Sequence, residues 1–60
     1  MNRDRIRELD AELRGLYARR RPLTRALRLR SDPEKATALT RVNEEIDERE
    51  LEYARLLRTG

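Results

Sequence analysis

The sequence predicts an all-α protein: an antiparallel hairpin of two long helices, forming one domain over residues 1–60. Three observations predict it. Large apolar residues recur at alternating three- and four-residue spacings through both halves of the chain, which is the pattern of an amphipathic helix. Helix formers (Ala, Leu, Glu, Arg) dominate, whereas aromatic residues reach only 3% and valine occurs once. Between the periodic halves lies one cluster of turn and cap residues, Ser31-Asp32-Pro33-Glu34. A charged fraction of 45% and a mean hydropathy of −1.04 would also suit a disordered tail. Disordered segments, however, lack such regular apolar spacing.

Helix 1 is expected over about residues 3–30, with Asn2 or Asp4 available as its cap. Its seam reads Ile6, Leu9, Leu13, Leu16, Arg20, Leu23 and Leu27, a heptad stripe with one polar interruption. Pro22 lies inside this stretch, has no N–H to donate and crowds the preceding turn with its ring. The heptad phase runs unchanged through it, so a kink is expected, with a break after Arg21 as the alternative. Gly15 falls on the outer face and weakens the helix by ~1 kcal/mol relative to Ala.

Helix 2 is expected over about residues 33–58. Asp32 suits the N-cap, Pro33 the first helical position, and Glu34 the positive end of the helix dipole. The second seam is Leu39, Val42, Ile46, Arg49, Tyr53 and Leu56. Folded back on the first, it matches in one constant register. Leu27 then faces Lys35, Leu23 faces Leu39, Arg20 faces Val42 and Leu16 faces Ile46. Leu13 with Arg49, Leu9 with Tyr53 and Ile6 with Leu56 complete the set. A tight turn near residue 31 satisfies every layer.

Such a hairpin is expected to be completed by oligomerisation into a helical bundle, a homodimer being the simplest closed form. Ile, Leu, Val and Tyr together number only fifteen, fewer than a free-standing domain of 60 residues would want. Leu29, Leu51 and Leu57 lie off the seam and should be exposed. Arg20 and Arg49 occupy seam positions. Either their stems pack while the guanidinium reaches water, or carboxylates of a bundle receive them. Glu44, Glu48 and Glu52 repeat at four-residue spacing and repel one another. Glu45 faces Arg19 favourably, but Glu52 would face Glu12 and Glu50 would face Asp10. The acidic row therefore looks to a basic surface outside the hairpin. Leu29, Leu51, Leu57, Arg20, Arg49, Glu44, Glu48 and Glu52 are the candidate partner or oligomer contacts.

Charge is also segregated along the rod. Residues 19–41 carry eight basic groups against Asp32 and Glu34, net +6, while residues 42–60 are net −3. Arg19, Arg21, Arg25, Arg28, Arg30 and Lys35 thus form a basic tip, the candidate anion or nucleic-acid contact. Arg7, Arg14, Arg21 and Arg28 recur every seven residues as one outer stripe. Against base recognition, Tyr17 and Tyr53 are the only aromatics, and no RNA-binding or zinc-finger signature occurs.

Chemistry has little to work with. The chain has no His, no Cys and one Ser (Ser31), so nucleophilic triads and zinc sites are not expected, nor any metal, cofactor or small-molecule substrate. Residues Arg3, Ile6, Leu9-Asp10, Leu13, Leu16-Tyr17 and Arg20, in that spacing, resemble the first helix of the all-helical chorismate mutases. The resemblance implies that Arg3 and Arg20 would grip substrate carboxylates in a site shared between intertwined chains. It is confined to residues 3–20. The lysine of that family falls near Ser31 here, and its third helix has no counterpart. No apolar run approaches membrane-span length, and the start Met1-Asn2-Arg3-Asp4-Arg5 leads into mixed charge rather than a signal core. A cytoplasmic location is expected by default.

The expectation is therefore a non-enzymatic helical interaction module: an adaptor, structural component, or regulator or inhibitor of a larger assembly. Its partner would be a second copy or another protein, with no membrane. Nucleic-acid binding through the arginine tip is the alternative, and a mutase-like fragment the third reading.

Overall fold

A computed structural model describes residues 2–59, the Thr59 side chain excepted. It shows the expected hairpin: α1 spans Asn2–Leu29 and α2 spans Pro33–Thr59. No strand occurs among the described residues. At 1.5 Å per residue, α1 should be about 42 Å long, and the molecule measures 44 × 14 × 13 Å. Its radius of gyration is 13.9 Å, against about 10 Å for a compact domain of this length. The protein is a rod two helices wide.

Each boundary has a local cause. The Asp32 carboxylate accepts hydrogen bonds from the backbone N–H groups of Glu34 (3.0 Å) and Lys35 (3.2 Å), satisfying two donors that helix geometry leaves orphaned. Its carbonyl accepts from Ala36 N–H at 2.9 Å. Pro33 stands at the first helical position, where a missing N–H costs nothing. The last turn of α1 is prolonged by Arg30 N–H donating to the Ala26 carbonyl at 3.1 Å. Residues 30–32 make the connection with no positive φ, so it needs no glycine.

One expectation for helix 1 needs correction. Asn2 and Asp4 lie inside the helix rather than capping it, Asp4 contributing from the first turn, where the dipole favours an acid. At Pro22, α1 is continuous, in line with its unbroken heptad phase, and the alternative break after Arg21 does not occur. Next to it, Thr24 turns its hydroxyl onto the Arg20 carbonyl at 3.0 Å, a local bond typical of Ser and Thr inside helices.

The core is thin. Leu16, Val42 and Ile46 form a buried cluster, with Leu13, Tyr17 and Leu23 packed against it, and Leu9 is fully shielded nearer the open end. The other seam residues, among them Ile6, Leu27, Leu39, Tyr53 and Leu56, are only half-buried. Two helices cover a seam from one side, and the flanks stay in contact with water.

Candidate functional site

The open end of the rod is held by an ion-pair cluster centred on Arg5. Its Nε donates to Glu52 Oε2 at 2.6 Å and its Nη2 to Glu52 Oε1 at 2.8 Å, a two-pronged grip across the helices. Nη1 donates to Glu8 at 3.0 Å and to Glu12 at 3.3 Å. Arg49 completes the cluster, donating from Nε to Glu12 at 2.8 Å and from Nη1 to the Glu45 carbonyl at 3.2 Å. The Glu12–Arg49 bridge lies within one residue of the register that sets Leu13 against Arg49. Arg5 holds the Glu52 carboxyl below its ordinary range, and the Glu52 hydrogen bond in turn raises the Arg5 guanidinium.

This cluster corrects one sequence expectation. Glu52 and Glu12 do come together, but Arg5 sits between them and turns the repulsion into shared pairing. Glu50 and Asp10 are also relieved. Glu50 accepts from the Tyr17 hydroxyl at 2.7 Å, and Asp10 pairs with Arg14 at 3.1 Å. The bond to Glu50 and partial burial raise the Tyr17 phenol. The register does not single out Arg5, because a long arginine side chain reaches several residues along a rod. Arg49 is received by Glu12 of its own chain, so water is not its only outlet. Arg20 lies over the Tyr17 ring, 4.9 Å from its centroid.

Nearer the turn, the pairing stops. One open groove of about 1000 Å³ runs between the helices, with Pro22, Leu23, Ala38 and Val42 supplying apolar surface. Five charges surround it: Arg19 and Arg41, and Glu34, Glu44 and Glu45. Among the described residues no ion pair joins any of these five side chains, so the expected Arg19–Glu45 attraction is not closed into a bridge. A second concavity, of about 410 Å³, lies on another face of α1 and is lined by Tyr17, Arg20, Arg21, Thr24, Arg25 and Arg28.

The candidate contacts are thus distributed rather than gathered. Glu44 lines the groove, Glu48 is exposed on α2, and Glu52 and Arg49 are taken up by the ion-pair cluster. Leu29, Leu51 and Leu57 are exposed at 81%, 62% and 59%, as expected, but none lines the groove and Leu29 lies at the opposite end from the other two. Of the basic tip, Arg21, Arg25 and Arg28 share the second concavity, Arg19 borders the groove, and Arg30 stands exposed at the turn. Lys35 approaches Asp32 at 3.9 Å. Arg3 and Arg20 sit seventeen residues apart on one helix, about 25 Å along its axis, too far for one chain to close both on a small dicarboxylate.

No known protein family, curated protein or solved structure matches this chain. The likeness to the chorismate mutases gains nothing from these comparisons. Among the described residues no helix is long and apolar enough to cross a membrane.

Proposed function

We propose that the protein is a helical docking module whose groove, on the Pro22–Leu23–Ala38–Val42 face, receives the same face of a second copy. The resulting bundle would serve as an adaptor, structural component or regulator of a larger assembly. The observation that carries this reading is the groove itself, apolar surface ringed by five charges that form no ion pair among the described residues. Two arginines and three glutamates on one rim give it the means to be self-complementary, since a two-fold axis that sets the arginines of one copy against glutamates of its mate does so twice over.

The exposed area supports the same partner. A compact monomer of 7.2 kDa should expose roughly 4100 Å², whereas this chain exposes 5206 Å². The surplus, roughly 1100 Å², is comparable with the 600–1000 Å² or so that each partner buries in an interface of standard size.

Charge reversal tests it. Arg19→Glu and Glu44→Arg, each alone, are expected to weaken self-association at least tenfold by sedimentation, roughly 1.4 kcal/mol, and an equimolar mixture of the two should recover it. Parent protein that stays at one chain's mass throughout the micromolar range would overturn the reading, as would variants that associate like the parent.

A further inference from the structure

The second concavity has a composition that the docking reading leaves unused. Four of its six lining residues are arginines, and no lining residue is acidic. It shares no residue with the groove, so filling one leaves the other open. Arg5, Arg14 and Arg49 each hold a carboxylate of their own chain, but among the described residues no carboxylate pairs with Arg21, Arg25 or Arg28. The Thr24 hydroxyl is turned back onto the Arg20 carbonyl, and the Tyr17 hydroxyl is committed to Glu50. What remains directed outward is guanidinium.

Placing Arg21, Arg25 and Arg28 at i, i+4 and i+7 puts them on one helix face over about 10 Å. Like charges at such spacing oppose folding slightly, so the cluster does not stabilise the hairpin. We propose that it is a binding site for the phosphate backbone of duplex nucleic acid. Arginine forks match phosphate oxygens, and a cationic row with no acidic residue in its lining gains by releasing counterions from a polyanion. The contact is independent of sequence. Tyr17 is the only aromatic in the site, and Arg20 covers its ring, so no platform is left for an unpaired base. That favours a duplex, whose phosphates are outermost, over a single strand.

The test is fluorescence anisotropy of the full chain with a labelled duplex of arbitrary sequence, DNA and RNA in parallel, at 50 and 200 mM salt. Three to four phosphate contacts predict an affinity loss of roughly 40- to 150-fold across that fourfold change in salt. Arg21→Gln/Arg25→Gln should lower the slope of log affinity against log salt by about 1.8. Arg3→Gln/Arg58→Gln, which removes the same charge elsewhere, should leave the slope unchanged, with both variants shown to be helical by circular dichroism. The proposal is overturned by absence of binding at 50 mM salt, or by equal slope losses in the two variants. It is also overturned if the parent binds no duplex while Arg21→Gln/Arg25→Gln reduces self-association, because the arginines would then face a second copy's glutamates.

Discussion

Replacing Ile46 with alanine removes three carbon atoms from a side chain that is 2% exposed and belongs to the cluster with Leu16 and Val42. At about 0.8 kcal/mol per buried carbon, the transfer loss alone is about 2.4 kcal/mol. Cavity terms raise such losses to about 2–5 kcal/mol in well-packed proteins. Here the cluster adjoins an open groove that water can enter, so the lower end applies, about 2.5 kcal/mol. A chain of 60 residues has roughly 3–9 kcal/mol in total, and the expected fall in melting temperature is roughly 10–20 °C. The assay is thermal melting followed by helical circular dichroism. Parent, Ile46→Ala and Leu57→Ala are compared at one protein concentration, because association adds to apparent stability. Leu57 is 59% exposed and outside the groove, so its truncation should cost no more than ~0.5 kcal/mol. Coincident melts for Ile46→Ala and Leu57→Ala would refute the assignment of Ile46 to a core.

The remaining predictions concern the turn, the outer face and the ion-pair cluster. Asp32→Ala, which strips the cap from α2, should cost about 1 kcal/mol in urea unfolding, and Asp32→Asn should recover most of it. Gly15→Ala should stabilise the fold by about 0.5–1 kcal/mol, because a Cβ there meets nothing within 4 Å and φ is not positive. Stability should also be bounded on both sides in pH. Glu52 has its folded pKa lowered by Arg5, so its contribution is present above its ordinary value of 4.5 and is lost as pH falls through the folded value. Tyr17 has its folded pKa raised by Glu50, so its contribution is present below 10.0 and is lost as pH rises beyond it. Urea midpoints measured from pH 3 to 11 should show a plateau with falls at both ends. Glu52→Gln should flatten the acid side, and Tyr17→Phe the alkaline side.

What could be read from the residues was the part governed by period and by local capping. Leu9, Leu16, Val42 and Ile46, the four buried side chains among the described residues, all lie on the two seams, and Asp32-Pro33 set the start of α2 to the residue. The end of α1 was placed within a residue of Leu29 for the same reason. The persistence of α1 through Pro22 followed from its unbroken heptad phase, since packing along the seam outweighs one lost backbone bond. The cross-helix electrostatics were not legible. Long side chains choose partners by reach and not by register, so the roles of Arg5 and Glu12 depended on three-dimensional positions that no spacing rule encodes. The groove was foreseeable only in kind. A two-helix rod must leave a flank open, but which flank gathers Pro22 and Ala38 with five charges follows from how the helices are rotated about their axes. The arginines were visible as a charged tip, yet their division between the groove rim and the second concavity was not.

The antiparallel hairpin underlies both proposals, and one distance tests it. The chain has no cysteine, so Arg3→Cys/Arg58→Cys can carry two spin labels without interference, diluted in unlabelled protein so that only pairs within one chain are read. Helices packed side by side at ~8–10 Å bring these positions close, and a label separation below roughly 25 Å is expected once linker lengths are added. A distribution centred beyond roughly 60 Å, as for one straight helix rising 1.5 Å at each residue, would contradict the hairpin and remove the groove and the arginine face together.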